Sequence, residues 1–431
     1  MTDHERRRSA LAAEFERARL RGQRIGLRKS TSNLFRQRDS AGKHLIDVSG
    51  FDHVLAIDPE RMTADVEGMI TYEALVDQTL KQGLVPAVVP QLKTITVGGA
   101  VSGLGIESSS FKFGLVHETV ESMDILLGDG RLVRCSCREN RDLFFGFPNS
   151  YGTLGYALRL TVRLIPAKPY VRLVHTRFSD PKSYFARVEE VCAEGRTDYL
   201  DGTIFSRDEM YLTEGQFVDQ APSLSDYTYM DIYYRSIQRK PEDWLTAKDY
   251  IWRWDTDWFW CSKQFYLQTP AVRRLFKWGL NSRTYQRIMR LSYKLMPDSG
   301  GTESVIQDID IPVGNAPDFF DFLFSEIGIT PIWMCPFKTR VWDLSPLREG
   351  LYVNFGFWDV IPSSHEKGYF NRKIEKKTAE LGGAKGLYSS AWYDEPEFWS
   401  IYNQQRYAGL KQSYDPQGVF PDLYSKCVRR H

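Results

Sequence analysis

A glycine-rich stretch between Thr94 and Gly114, TITVGGAVSGLGIESSSFKFG, is the feature that most constrains the fold. Glycine has no Cβ, so the backbone there can adopt positive φ and can approach a flat or charged ligand closely. Neighbouring Thr and Ser hydroxyls add hydrogen-bonding groups beside the exposed backbone amides. The stretch is typical of a turn that binds a phosphate-bearing or ring cofactor. Taken alone, it fits a glycine-rich surface loop equally well.

A second glycine turn favours the cofactor interpretation. The segment from Val120 to Cys135, VESMDILLGDGRLVRC, predicts a β-hairpin that turns at Asp129-Gly130. After the hairpin, Gly152, Thr153 and Gly155 form another turn, and an alternating strand follows it. Two glycine turns joined by a hairpin are much rarer than one.

This order of motifs resembles the vanillyl-alcohol-oxidase-type flavoproteins, and within them the Δ24-sterol reductase branch. The resemblance covers nearly all of the chain from about residue 24, and in the second half it rests on MYLTEGQFVD, the aromatic block near Tyr250, PIWMCPF and FPDLYSKC. In the first half it is carried by Val85, Pro86, Pro90, Val97–Gly99, Gly103, Gly105–Ser110, Lys112, Gly114 and Ile165–Lys168.

The resemblance implies an α+β, two-lobed FAD-binding fold with an antiparallel-sheet substrate lobe. The residues agree: strand hairpins and a helix ending at Gly83 alternate before Ile165–Pro169, whose two prolines mark a boundary. We therefore expect a basic helical segment over residues 1–23, an FAD-binding domain over 24–168, a substrate domain over 169–370, and a helical segment over 371–431 that returns to the flavin.

FAD is the cofactor that the resemblance implies, bound noncovalently. The place that often holds a flavin-linked histidine reads Arg28–Leu34, which contains no histidine. Small hydroxyls and basic side chains there are candidates for the pyrophosphate. The expected FAD-binding residues are Lys29, Ser30, Thr31, Ser32, Thr96, Gly98, Gly99, Gly103, Gly105, Ile106, Ser108, Ser109, Gly152, Thr153 and Gly155.

Charge and cysteine content exclude other classes of protein. With 56 basic and 55 acidic residues the net charge is +1, which argues against a nucleic-acid partner. The six cysteines show no zinc-like spacing, so we expect free thiols and no metal. No apolar run reaches about 18 residues and no signal peptide opens the chain, so we expect a cytoplasmic protein.

Membrane contact, if it occurs, is expected to be peripheral. Residues 1–29 hold nine Lys/Arg against four Asp/Glu, with Leu11, Phe15 and Leu20 near helical spacing. Such a helix could lie on an anionic membrane, but a solvated helix docked by one narrow stripe is the favoured interpretation. The relatives in this branch usually carry an apolar anchor ahead of the flavin domain.

Residues 250–278 combine many aromatic side chains with basic ones. This composition fits a long apolar substrate, or the edge of a membrane, and a packed helix pair is the alternative. A lipid is therefore the expected substrate.

Relatives that look like this chain reduce an isolated carbon–carbon double bond with hydride from flavin recharged by NADPH. The double bond lies either in a methylene-branched fatty acyl chain, made by a partner methyltransferase, or at Δ24 of a sterol; we favour the acyl lipid. An FAD-dependent oxidase or dehydrogenase of a hydrophobic alcohol or other small molecule is the alternative, and a flavin-free scaffold is the nonenzymatic one.

Reduction of an unconjugated alkene needs a proton donor, because no carbonyl takes up the charge of the incoming hydride. Glu107, within the cofactor turn, is one candidate, although a structural role fits it better. Tyr388 and Asp359 are further candidates, from segments expected near the flavin. Among the seven histidines, His117 is best placed and is expected to be structural.

Overall fold

Three β-sheets organise the residues that the computed structural model describes, which are 2–29, 42–295 and 301–429. A two-stranded sheet and a six-stranded sheet form an amino-terminal lobe, and an eight-stranded antiparallel sheet forms the second lobe. This is the mixed α+β, two-lobed arrangement that the sequence predicts.

The amino-terminal lobe contains the elements α1 to β8. They are α1 (Asp3–Leu20), β1 (Arg24–Arg28), β2 (Lys43–Asp47), β3 (Val54–Asp58), β4 (Thr63–Glu67), α2 (Tyr72–Thr79), β5 (Leu84–Pro86), α3 (Val97–Ser102), α4 (Ser110–Phe113), β6 (Val120–Leu126), β7 (Leu132–Ser136), α5 (Arg141–Gly146) and β8 (Tyr156–Pro166). Strands β1 and β2 are parallel, and the larger sheet has the order β3-β4-β8-β6-β7 with β5 paired to β8.

Local sequence signals set these elements. The predicted β6–β7 hairpin is confirmed, with Met123 opposite Cys135. The β3–β4 hairpin also forms, and the turn after α2 ends at Gly83 with φ +68°, a conformation that glycine adopts without steric cost. Thr71 starts α2 by accepting a hydrogen bond from the Ala74 amide at 3.3 Å.

Helix α1 docks on its own lobe through a narrow stripe. Leu11, Phe15 and Ala18 are buried with residues of β1, β2 and β8. Leu20, expected in this stripe, is instead 72% exposed, because Ala18 occupies the helical position three residues after Phe15. The apolar face of α1 is thus covered by protein, which supports the docked helix over a membrane-bound one.

Glu67 fastens α1 to the sheet. Its fully buried carboxylate accepts hydrogen bonds from Arg7 Nη2 and His4 Nδ1, both at 2.6 Å, and from His53 Nδ1 at 2.8 Å. Burial opposes ionisation of Glu67, but these hydrogen bonds outweigh it and hold the pKa of the carboxyl below its usual range.

The second lobe contains the elements β9 to β15. They are β9 (Tyr170–Phe178), α6 (Pro181–Glu194), β10 (Tyr199–Ser206), β11 (Glu209–Val218), α7 (Tyr233–Ile237), β12 (Glu242–Thr246), α8 (Ala247–Ile251), α9 (Pro270–Leu275), α10 (Ser282–Leu295), β13 (Thr302–Pro312), α11 (Ala316–Phe322), β14 (Ile332–Thr339) and β15 (Gly350–Pro362). The chain crosses between the two large sheets through residues 167–169, within the proline-marked segment.

The carboxy-terminal segment contains α12 (Tyr369–Glu380), β16 (Ala384–Lys385), α13 (Glu395–Ile401) and α14 (Gln404–Tyr414). It is not purely helical, because β16 completes the large sheet, whose order is β12-β9-β11-β10-β14-β15-β13-β16. Helix α14 packs on the second glycine turn, where Lys411 Nζ donates to the Thr153 carbonyl at 2.8 Å. The segment therefore returns to the amino-terminal lobe.

The large sheet has one face covered by helices and one face turned to the amino-terminal lobe. Phe185 of α6 and Phe320 of α11 pack on the covered face, against strand residues such as Phe355. Strand β13 alternates accordingly, so Asp308 and Asp310 lie on the opposite face from buried Ile309. Among the described helices, none combines the length and apolarity needed to cross a bilayer.

We expect Glu67→Gln to reduce the free energy of unfolding by about 2 kcal/mol, because a buried amide cannot pair with the half-buried Arg7 guanidinium as a carboxylate does. Since the pKa of Glu67 is lowered in the folded protein, its stabilisation is present above the unfolded pKa and is lost as pH falls. Urea unfolding at neutral and acidic pH measures both effects. Glu60→Gln, at an exposed position, is the control, and an equal loss in both variants would contradict the role of Glu67.

Candidate functional site

A cavity of about 430 Å³ lies between the two lobes. Its wall combines backbone from the glycine turns with aromatic side chains from the second lobe. The residues that define it are Lys29, Lys43, Thr96, Gly98, Gly99, Gly103, Gly105, Ile106, Gly152, Gly155, Trp258, Phe259, Asp308, Trp333, Trp358, Tyr388 and Lys426.

The first glycine turn is packed too closely for side chains. A Cβ on Gly98 would lie 2.9 Å from the Gly68 carbonyl oxygen, and one on Gly99 would lie 2.8 Å from Thr96 Oγ1. The Gly98 amide also donates to the Gly68 carbonyl at 2.9 Å, which holds α3 against the six-stranded sheet. Because α3 is pinned from behind, its glycine backbone forms a bare wall of the cavity.

The second glycine turn requires glycine for its conformation as well. Gly152 has φ +76° and Gly155 has φ +151°, and a Cβ on Gly155 would lie 2.5 Å from the Leu126 carbonyl oxygen. Leu104, within the first turn, and Tyr151, next to Gly152, also have positive φ, which is uncommon for residues with side chains. Such backbone concentrates at functional sites, where surrounding packing holds it in place.

The residues present fit FAD. Both glycine turns expose backbone to the cavity, the environment that a flat ring system needs. Lys29, Lys43 and Lys426 add three ammonium groups to the wall, suited to phosphate oxygens, and Lys426 Nζ lies 3.4 Å from the Cβ position of Gly152. Trp258, Trp333 and Trp358 add apolar surface to the same cavity.

The structure brings most of the predicted cofactor residues to this wall, but not all of them. Ser108, Ser109 and Thr153 are buried behind it, and their hydroxyls are bonded within the protein: Ser109 to the Ala87 carbonyl at 2.8 Å and Thr153 to the Ser150 carbonyl at 2.8 Å. Ser30, Thr31 and Ser32 lie outside the described residues.

The predicted proton donors differ in their positions. Tyr388 lines the cavity, and its hydroxyl accepts a hydrogen bond from Trp358 Nε1 at 3.2 Å. Asp359 does not line it; its carboxylate accepts from the Val360 amide at 2.8 Å at the end of the sheet. Glu107 is also absent from the wall, because its carboxylate turns away into a buried ion-pair network. Of these three, the geometry favours Tyr388 alone.

Asp308 is a cavity acid that the sequence analysis missed. Its Oδ1 is buried without a hydrogen-bond partner among the described residues, while Tyr388 donates to its carboxylate. Burial is the main cause that raises the pKa of Asp308 from 3.8 to about 6. The sequence did hold a signal for this acid. In QDIDIP, Asp308 and Asp310 alternate with apolar residues, so both acids lie on one face of the strand.

Asp310 is the neighbour of Asp308 on the same strand face but lies outside the main cavity. It borders a smaller cavity with Lys385, and its Oδ1 accepts from Asn354 Nδ2 at 2.8 Å. Burial raises the pKa of Asp310 to about 8, and the negative charge of Asp308 adds to this. Asp310 is therefore protonated near neutral pH, where Asp308 is largely ionised.

Arg253 joins the cofactor turn to the large sheet. Its guanidinium is buried and donates through Nη2 to Asp201 Oδ2 at 2.8 Å and to Glu107 Oε1 at 3.2 Å. Its Cζ lies 4.1 Å from the ring centroid of Tyr250, whose hydroxyl is 2.9 Å from Ser108 Oγ. Burial is the main cause that raises the pKa of Glu107, opposed by Arg253.

His117 has no route to the reaction. It is buried against Trp342, with ring centroids 4.5 Å apart, and burial lowers its pKa to about 3. It is neutral at physiological pH and packs as part of the amino-terminal lobe, in agreement with the structural role expected for it.

We expect Gly98→Ala to lower the flavin content of the purified protein, because the added Cβ displaces α3 from the Gly68 carbonyl and moves the cavity wall. The ratio of flavin to protein absorbance measures this. Gly409→Ala is the matched control, since nothing lies within 4 Å of its Cβ position in α14, and alanine there should be neutral or stabilising. Full flavin content in the Gly98 variant would contradict the assignment of this wall.

We expect Arg253→Met to lower the free energy of unfolding by about 3–5 kcal/mol, because it leaves two buried carboxylates without a cation. Glu107→Gln should cost much less, since Arg253 still pairs with Asp201 and the raised pKa of Glu107 shows that its charge is already disfavoured. Urea unfolding compares the two variants. Similar losses in both would show that Arg253 does not organise the network.

Comparison with known proteins agrees with this geometry. A family model described as FAD binding domain matches residues 6–136. The chain is 27% identical to the Δ24-sterol reductase of Homo sapiens over 406 residues, covering 87% of this chain and 76% of that protein. It is 27% identical to the Δ24-sterol reductase of Pisum sativum over 443 residues, with 89% and 76% covered.

A further similarity covers about a third of the chain. Cytokinin dehydrogenase 4 of Oryza sativa subsp. japonica is 30% identical over 141 residues, which are 32% of this chain and 27% of that protein. The glycine-lined cavity agrees with the match to the FAD binding domain. The similarity to the sterol reductases over most of the length agrees with both. The chain therefore contains an FAD binding domain and is similar to the Δ24-sterol reductases over most of its length.

Proposed function

We propose that this protein is an FAD-dependent reductase of an isolated carbon–carbon double bond in a lipid, with NADPH returning the electrons. The observation that carries the proposal is the placement of a buried acid, Asp308, in the same cavity as the glycine turns, among Trp258, Trp333 and Trp358. The similarity to Δ24-sterol reductases over most of the chain supports it.

The aromatic end of the cavity suits an apolar substrate. Phe259 and Trp358 line it with ring centroids 4.6 Å apart, and Trp260 packs against both, 5.8 Å from Phe259 and 5.1 Å from Trp358. Phe259 and Trp358 line the same cavity as Asp308 and offer flat apolar surface to a hydrocarbon. Polar recognition of a sugar or a small phenol would call for more hydrogen-bonding groups in this wall.

The cavity would hold FAD, which when reduced would supply a hydride to one alkene carbon, so the protein must deliver a proton to the other carbon. The net change is one hydride and one proton added across the double bond. Asp308 holds that proton: its carboxyl faces the cavity, and its raised pKa keeps a useful protonated fraction near pH 6. Tyr388 orients the carboxyl by its hydrogen bond and is itself positioned by Trp358.

Protonation of one alkene carbon leaves positive charge on the other, so the substrate must have a carbon that tolerates this charge. Two substrates meet this requirement. A methylene-branched fatty acyl chain does so, and would be supplied by a methyltransferase acting on an unsaturated acyl lipid. A Δ24-sterol does so too, and the sterol reductase relatives support it. We keep the acyl lipid as the favoured substrate and the sterol as the second arm of the same experiment.

Anaerobic stopped-flow absorbance of the purified flavoprotein tests the proposal. We expect NADPH to bleach the flavin band, and one of the two lipids, added second, to restore it. Recovery with only one lipid identifies the substrate class. A flavin that NADPH does not reduce would overturn the proposal and favour a dehydrogenase or oxidase, the chemistry of the cytokinin dehydrogenase relative.

We expect Asp308→Asn to slow reoxidation of the flavin by the lipid by about 10²–10⁴-fold, the usual contribution of a general acid. Reduction by NADPH should be unchanged, because that step needs no proton from Asp308. Asp310→Asn is the matched control: Asp310 is already neutral near pH 7, so the amide imitates its resting form. Equal slowing in both variants would show an effect on the strand and not on proton delivery.

The rate of reoxidation should also depend on pH. The groups that face Asp308 are Tyr388, which bonds to it, and Asp310 along the strand, with Lys385 beside the smaller cavity. The protonated form of Asp308 is required, so the rate should fall as pH rises through about 6 and should lose this dependence in Asp308→Asn. A wild-type rate that is flat across this range would exclude Asp308 as the acid.

A further inference from the structure

The structure divides the aromatic and basic stretch 250–278 into a buried half and an exposed half. Trp252, Trp254 and Trp260 are buried, and Trp258 and Phe259 line the cavity. After Cys261, several large apolar side chains are exposed instead of buried. The exposed side chains, called here the apolar patch, are Tyr266, Leu275, Phe276 and Trp278.

The exposure of the apolar patch is unusual for a folded protein. Trp278 is 92% exposed and Leu275 is 80% exposed. The other strongly exposed large hydrophobic residues among the described parts of the chain, such as Met62 and Val341, are aliphatic and come from separate segments. Concentrated exposed apolar surface of this kind marks an interaction site.

The backbone beneath the apolar patch is rigidly braced. Arg273 is buried, and its guanidinium donates to Asp257 through Nη1 at 2.6 Å and through Nη2 at 2.9 Å. The same group donates to the Tyr229 and Asp231 carbonyls. The buried bidentate pair holds α9 in one position, and Trp278 follows this helix closely. The exposure of Trp278 is therefore part of the folded structure.

The segment that carries the apolar patch is rich in cations, of which Arg273 and Arg283 are paired with Asp257 and Glu73. Residues 258–288 contain six Lys/Arg and no Asp/Glu, in a chain whose net charge is +1. Lys263, Arg274 and Lys277 are exposed within the same segment as the patch. Aromatic side chains with neighbouring cations are the combination that binds the interface of an anionic bilayer, because the rings enter the headgroup region while the cations meet lipid phosphates.

Stacked rings join Phe265, in the segment that carries the apolar patch, to the cavity wall. Tyr285 stacks on Phe265 and on Trp258, with interplanar angles of 2° and 6°. Trp258 itself lines the cavity. One packed row of rings therefore runs from the exposed segment to the interior.

We propose that the apolar patch, Tyr266, Leu275, Phe276 and Trp278 with Lys263, Arg274 and Lys277, docks this protein on an anionic lipid bilayer. The patch enters the interface and the cations bind headgroup phosphates. The docking orients the row of rings that ends at Trp258 toward the membrane. This surface is separate from α1, whose apolar stripe is buried against its own lobe.

Flotation of the flavin-loaded protein with vesicles tests the proposal. One set of vesicles is phosphatidylcholine alone, and the other contains phosphatidylglycerol as well. We expect binding to the anionic vesicles that weakens as salt is raised. The double variant Leu275→Ser, Trp278→Ser should lose most of this binding. Lys277→Glu lowers the charge by two units, and each unit should weaken vesicle affinity by about fivefold.

Matched controls separate docking from misfolding. Val341→Ser removes an exposed apolar side chain elsewhere and Lys182→Glu reverses an exposed charge on α6; both should bind vesicles as the wild type does. Flavin content and thermal unfolding confirm that each variant is folded. Wild-type binding by the double variant would overturn the proposal, as would a dimer that the double variant dissociates, since the patch would then be an interface between copies.

The docking proposal and the proposed reaction are tested by separate measurements, so either can be overturned without the other. Vesicle binding needs no turnover, so it can be measured whatever the substrate. The double variant should keep the wild-type rate of flavin reduction by NADPH and should lose rate only when the lipid is presented in vesicles. A variant that also fails with detergent-dispersed lipid would place these residues in substrate binding and overturn their assignment to the membrane.

Discussion

The buried cation of Arg253 is the constraint on which the arrangement of the two lobes depends. It is the counter-ion for Glu107, within the cofactor turn, and for Asp201, on strand β10 of the large sheet. Removing three charged groups from water is costly, and the cost is offset only when their geometry is complementary. Asp201 also accepts from Trp333 Nε1 at 3.1 Å, so the network fixes an aromatic residue of the cavity wall. The position of the turn and that of the wall are thereby linked.

The two lobes contribute different chemistry to the cavity that this network fixes. The amino-terminal lobe offers backbone, because side chains at Gly98 or Gly155 would collide with the carbonyls of Gly68 or Leu126. The large sheet offers side chains on the face that its helices leave uncovered, and Asp308 is among them. A cofactor site made of backbone tolerates little change in sequence, whereas a substrate wall made of side chains can be altered without disturbing the fold.

Burial governs both the proposed chemistry and the proposed membrane contact. The apolar surroundings of Asp308 raise its pKa and so retain a proton near the substrate. The ion pair of Arg273 with Asp257 has the opposite consequence, since it secures a backbone whose neighbouring aromatic side chains remain outside the core. In both places a charged group that is shielded from water determines what an apolar region does.

The sequence by itself determined the flavin fold, the hairpin between the glycine turns and the glycine walls. These features are local: a turn that requires positive φ or a close backbone approach admits glycine and little else, so the residue type reports the conformation. Helix α1 was also predictable from its charge and spacing, although the place of Ala18 in its buried stripe was not.

The tertiary structure alone decided which polar side chains face the cavity. Glu107 and Ser108 belong to a cofactor motif yet point away from the wall, whereas Asp308 lies about two hundred residues further along the chain and faces it. The tertiary structure also decided which aromatic side chains of residues 250–278 are buried in the core and which are exposed. Side-chain direction and burial follow from contacts between distant elements, and composition and spacing along the chain carry no record of those contacts.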